Sequence, residues 1–205
     1  MSVEFDHLVV VGETLDEGVE FVRDCLGIEV AGGGQHPDMG TWNRVIRLGP
    51  REYLEVIAID PEAPRPARAR WFGLDWFTGP PRLATWVVRS DDLAVELAQV
   101  GPVAGRGLPL QRGDFSWVFA LHDTGALPFE GAHPSLIVWT GPHPADRMAD
   151  AGLSLRSLSI SHPDPTLGAA VVDGLGVRDA RIVVQTGPLS VSATIETPHG
   201  MRRLG

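Results

Sequence analysis

Imidazole and carboxylate groups are the reactive side chains that this sequence offers. All 17 of its basic residues are Arg, with no Lys, which removes Schiff-base chemistry, a lysine general base and a phosphate-cradling P-loop. A single cysteine, Cys25, sits among apolar residues and excludes an intrachain disulfide or a Cys-rich zinc site. No G-x-S-x-G, H-E-x-x-H or G-x-G-x-x-G pattern occurs. A serine hydrolase, a zincin-type protease and a nucleotide cofactor are therefore not expected.

Two of the remaining groups lie on strand-like runs. His7 falls in Phe5-Asp6-His7-Leu8-Val9-Val10-Val11, where alternation puts it on one face with Phe5 and Val9. Glu55 falls in Tyr53-Leu54-Glu55-Val56-Ile57, sharing a face with Tyr53 and Ile57. His36 follows three glycines, Gly32 to Gly34, and precedes Pro37, a stretch able to bend toward a pocket. It reads either as a ligand or acid/base group titrating near its reference value, or as a turn histidine. His133, His143 and His162 also precede proline, which suits loop corners, and His143 and His162 read as structural. Arg44, Arg47, Arg70 and Arg112 are candidate anion clamps, and Asn43 could hydrogen-bond a substrate carbonyl. Among the six tryptophans, Trp86 and Trp139 read as core, while Trp42 and Trp71 read as cavity residues.

The elements that must position these groups recur along the chain. The first unit, residues 3–60, reads strand, helix, then three strands near 28–30, 41–48 and 53–59. Its helix is capped by Thr14 or Asp16 and stopped by Gly27. The second unit, residues 83–140, repeats that order, with a helix over 90–100 capped by Ser90. A third, shorter βαββ unit covers 153–199, with a helix over 164–175. Residues 61–82, rich in Pro, Arg and Trp, form a packed linker. Units of this kind cannot bury a sheet face alone and must pair.

Repeated βαβββ units, with a His on the first strand and a Glu on the fourth, resemble the vicinal oxygen chelate superfamily. More narrowly, Asp6-His7-Leu8-Val9-Val10, the segment 33–43, and Tyr53-Leu54-Glu55-Val56-Ile57-Ala58 resemble its glyoxalase-like domain family. So do Arg70-Trp71-Phe72-Gly73-Leu74-Asp75, Leu136-Ile137-Val138-Trp139 with His143-Pro144, and the segment 193–200. The resemblance covers nearly the whole chain. It implies one α+β glyoxalase-like domain over 1–205, with tandem βαβββ units forming a concave, barrel-like mixed sheet and helices outside.

The same resemblance implies that His7 and Glu55 face the cavity as half of an octahedral site for Mn, Fe, Ni, Co or Zn. His36 would be the third ligand or an acid/base group beside a catalytic Glu55, and Trp42, Asn43, Arg44 and Trp71 would bind substrate. The implied activity is that of a lyase, isomerase or dioxygenase acting on a small organic molecule. The alternative is a metal-free sequestering protein of the bleomycin-resistance type, because Thr85 and Ser157 stand where the other units would need a histidine.

With 26 acidic residues against 17 basic ones, the formal net charge is −9. That balance argues against nucleic acid, and no apolar run approaches the length of a membrane span. A cytoplasmic location is expected. The unpaired third unit would cap the sheet or contribute to a homodimer.

Overall fold

Strand β1 (Glu4–Val11) runs through the middle of the larger of two sheets in the computed structural model, which describes residues 3–205. Around it the first unit supplies α1 (Leu15–Leu26), β2 (Gly32–His36), β3 (Thr41–Gly49) and β4 (Glu52–Ile59). The second supplies β5 (Arg82–Arg89), α2 (Leu93–Val100), β6 (Arg106–Arg112), β7 (Phe115–Leu121) and β8 (Ser135–Trp139). Their eight strands are ordered β2-β3-β4-β1-β5-β8-β7-β6, so each unit pairs its first strand with its last and places its second strand at an edge. The units join where β1 lies antiparallel to β5. This sheet curls into a half-barrel.

Period-2 alternation gives the curled sheet two apolar faces. Leu8, Val10, Leu54, Val56 and Trp86 point outward to a core that includes Leu15, Val22 and Leu26 of α1. Val9, Val11, Ile57, Val87 and Ile137 point into the concave side, where Trp71, Phe72 and Leu74 of the 61–82 segment meet them. Helix α1 begins as its sequence implies. Thr14 and Glu17 form a reciprocal capping box, and Gly27 ends the helix at φ 69°.

Four local expectations differ from the structure. Helix α2 starts at Leu93 and is capped by Asp92, whose Oδ1 accepts from the amides of Ala94 and Val95, while Ser90 bonds Glu96. No strand occupies 28–30. The glycine stretch, expected as a bend, instead forms edge strand β2 against β3. Glycine is required there: Gly33 has φ 140°, and a Cβ on it would lie 2.1 Å from the carbonyl oxygen of Asn43. Fourth, His7 does not share a face with Phe5. The β1–β5 register jumps between Phe5 and His7, a bulge at Asp6 that sends Phe5 to the outer core.

The third unit departs from the first two in topology. Its strands β9 (Ser154–His162), β10 (Ile182–Thr186) and β11 (Ser190–Thr197) are followed by a strand beyond the expected βαββ, β12 (Gly200–Leu204). They form a separate sheet ordered β10-β9-β11-β12. Its helix is short, α3 (Leu167–Ala169), continued by a π-helical segment over Ala170–Gly174. Here β10 returns parallel beside β9, so the first strand pairs with the second and not with the last. Leu155, Leu158, Ile160, Ala193 and Ile195 bury this sheet in the outer core, and Arg181 clamps Glu52 of β4 through two hydrogen bonds of 2.6 and 2.9 Å. Among the described residues no helix is long and apolar enough to cross a membrane.

Candidate functional site

The concave face holds a pocket into which His7, Glu55, His36, Asn43, Trp71 and Arg112 all project. With the side chains as they stand its volume is about 40 Å³. Adjacent central strands bring the first two together: His7 Nε2 of β1 lies 3.7 Å from Glu55 Oε2 of β4, with both residues buried. Each is held from behind. Asp6 accepts from His7 Nδ1 at 2.6 Å, and Asn43 donates its amide to Glu55 Oε1 at 2.6 Å. The first of these bonds keeps the proton on Nδ1 and leaves Nε2 facing the pocket.

Asp6 owes its position to the bulge and is fully buried. Burial opposes its ionisation, but hydrogen bonds from His143 and His7 win and hold its carboxyl well below the ordinary range. Its other oxygen, Oδ2, takes bonds from His143 Nε2 at 3.1 Å and Trp139 Nε1 at 3.0 Å. His143 and Trp139, expected as structural and core residues, therefore support the site, and Trp139 also lines the pocket. The Tyr53 ring stacks on His7 with centroids 4.3 Å apart. Burial, then the charges of Asp6 and Glu55, push its phenol well above the usual value.

His36 is buried at the end of β2. Its Nδ1 meets Thr41 Oγ1 at 3.2 Å, and its Nε2 accepts from Arg112 Nη1 at 3.0 Å. Burial, with the guanidinium adding to it, drives its pKa down to about 3, so the imidazole stays neutral at physiological pH. That corrects the reading of a group titrating near its reference value. Both ring nitrogens of His36 are engaged, by Thr41 and Arg112, and among the described residues no group of three or more His, Cys, Asp and Glu side chains is placed to hold a metal. The expected three-ligand set His7, Glu55 and His36 is not assembled.

Of the expected substrate-binding residues, Asn43 and Trp71 line the pocket, while Trp42 and Arg44 do not. Alternation along β3 explains the difference: Asn43 and Val45 face inward, so their neighbours face out, and Trp42 packs on the outer core. Arg70 is bound to Asp75 at 2.6 Å, and Arg47 bonds the carbonyl oxygens of Gly49 and Met148. Arg112 alone of the four proposed clamps reaches the pocket. It stands at the end of edge strand β6, yet its Nη1 contacts His36 of the opposite edge strand β2. The curl of the sheet closes that gap across a sequence separation of 76 residues.

Two βαβββ halves curled round such a pocket define a vicinal oxygen chelate fold. A family model described as "glyoxalase-like domain" matches residues 5–176, and the chain belongs to that family. No curated protein matches it. Among solved structures, a hypothetical protein from Staphylococcus aureus is 14% identical and aligns over 99% of this chain and 99% of its own, with a TM-score of 0.63. A variant methylmalonyl-CoA epimerase from Streptomyces coelicolor, solved with 2-nitronate-propionyl-CoA, is 18% identical over 69% of this chain and 96% of its own, with a TM-score of 0.43. The Mycobacterium tuberculosis methylmalonyl-CoA epimerase is 16% identical over 66% of this chain and 85% of its own, with a TM-score of 0.42.

Proposed function

We propose that the chain is an enzyme of isomerase or lyase type that moves a proton at the carbon beside a carbonyl of a small organic molecule. Glu55 and His7 are its acid–base pair. The observation that carries this reading is the 3.7 Å approach of His7 Nε2 to Glu55 Oε2, each locked by a partner of its own. Between them the two groups hold one transferable proton: the group lacking it accepts from the substrate carbon, and the other returns one to the resulting enolate. The net charge of the pocket is unchanged by the exchange.

The donor set does not fit a resident divalent metal. One imidazole and one carboxylate fall short of the three protein ligands that a catalytic site ordinarily uses, and Ile137 of the second half presents only an apolar chain to the pocket. The Arg112 guanidinium places a permanent positive charge near the carboxylate, through Asn43. No step is therefore assigned to a metal.

The test is solvent exchange. Chelator-treated protein in D₂O is given pyruvate, hydroxyacetone and related small carbonyl compounds, and loss of the α-proton signal is followed by NMR. Wild type accelerates exchange of at least one of them, and Glu55→Gln and His7→Gln each lower that rate about 10²–10⁴-fold. Exchange that appears only after Mn, Fe, Ni, Co or Zn is added restores the metal-dependent reading. The second reading, a sequestering protein, is favoured by the aromatic walls formed by Trp71, Phe115, Trp117 and Trp139. Tight binding without any exchange selects it.

A further inference from the structure

We propose that Arg112 makes this pocket a site for small carboxylic acids, its outer guanidinium edge gripping the ligand's two carboxylate oxygens. The inference rests on the pocket assigned above and names the class of molecule that enters it. Arg112 Nη1 has two protons, and both are spent, on His36 Nε2 and on Asn43 Oδ1, each at 3.0 Å. Those two bonds anchor the side chain across the mouth between β6 and β2. Among the described residues its Nε and Nη2 groups donate to nothing, and no carboxylate lies within ion-pair distance of the guanidinium.

Both fixed acceptors of Arg112 are neutral. Asn43 carries no charge, and His36 Nε2 accepts from the guanidinium and so bears no proton. The cation is thus half-buried, oriented and uncompensated, in contrast to Arg70 and Arg181, which are each paired with carboxylates. The free Nε/Nη2 edge has the fork geometry that matches a carboxylate in two parallel bonds. A further donor waits in the same wall: the indole Nε1 of Trp71 is buried without an acceptor among the described residues. Apart from His7 and Glu55 the remainder of the wall is largely aromatic or aliphatic, including Phe115, Trp117, Val45 and Ile137, so the ligand body is small and apolar, and its acid end lies toward Arg112.

Calorimetry and tryptophan quenching with matched pairs test this: propionate against propionamide, benzoate against benzamide, pyruvate against hydroxyacetone. Wild type favours the acid of a pair by about ten- to a hundredfold. Arg112→Gln abolishes that preference, and Arg112→Lys, which keeps the charge and loses the fork, retains only part of it. Thermal melts of the three proteins show which are folded, and Arg106→Gln, at the exposed far end of β6 and outside the pocket, must keep the acid preference. Equal binding of acid and neutral partner by wild type overturns the proposal, as does binding of neither. Carboxylate selectivity without α-proton exchange overturns the acid–base reading and leaves this one standing, whereas exchange without acid preference does the reverse.

Discussion

The two halves of the eight-stranded sheet share strand order and differ in what they put on its concave face. In the first half, β1, β3 and β4 present His7, Asn43 and Glu55. The equivalent strands of the second present Trp117, Phe119, Ile137 and Trp139, with Arg112 at the edge. Backbone pairing depends on strand order and register, so it tolerates this divergence, whereas acid–base chemistry needs particular atoms, which on the proposed reading lie in one half. On that reading the halves are complementary: one holds the acid–base pair, and the other shapes and charges the space in front of it. Asp6 crosses that division, because Trp139 and His143 from beyond β5 hold the carboxylate that orients His7.

The largest expected effect is on catalysis. Glu55→Gln or His7→Gln in the first half costs about 10²–10⁴ in exchange rate, while Ile137→Val in the second leaves it within about threefold, because that side chain donates no proton. A loss of similar size from Ile137→Val would break the division of labour. Next comes a contrast of the two faces. Trp86 is fully buried in the outer core, and Trp86→Ala costs about 3–5 kcal/mol in urea unfolding. Trp117→Leu, on the pocket side, retains much of its packing, costs about 1–3 kcal/mol and chiefly weakens ligand quenching.

The third effect is on pH. The folded-state pKa of His36, about 3, lies below the unfolded value of 6.5, so its contribution to stability is complete above pH 6.5 and is lost as pH falls toward 3. His36→Gln keeps an acceptor for Arg112 but cannot protonate. Urea midpoints at pH 7, 5.5 and 4.5 therefore fall less steeply for the variant, by up to about 1.4 kcal/mol per pH unit. Identical slopes would mean that His36 is not held neutral. Asp6 adds a wild-type loss at lower pH: its depressed carboxyl stabilises above the unfolded value near 3.9 and loses that contribution below it. The smallest effect compares the helices. Thr14→Ala and Asp92→Ala each remove an N-cap and cost about 1 kcal/mol.

The pairing of His7 with Glu55 was reached through the family resemblance. Strand alternation gave each residue a face, but it put His7 with Phe5, which the bulge at Asp6 separates. The same rule argues against grouping Trp42 and Arg44 with Asn43, since neighbours on a strand point to opposite sides. Asp6 needed more than periodicity, because a bulge breaks the alternation at that residue and nothing in the local pattern marks it. Arg112 gave no local signal that set it apart from Arg44, Arg47 or Arg70. Its role depends on how far the sheet curls.

Composition and patterning by themselves determined that strand and helix units recur, that lysine chemistry is absent, and that one histidine and one glutamate lie on strand-like runs; the α+β fold was what the family resemblance implied. These properties follow from residue types and short-range spacing, which act before any long-range contact forms. Tertiary structure settled the pairing of the first two units, the different strand order of the third, and the meeting of His36 with Arg112 from opposite edges of one sheet. Register, bulges and curl arise from contacts between residues tens of positions apart, and local sequence carries little information about them.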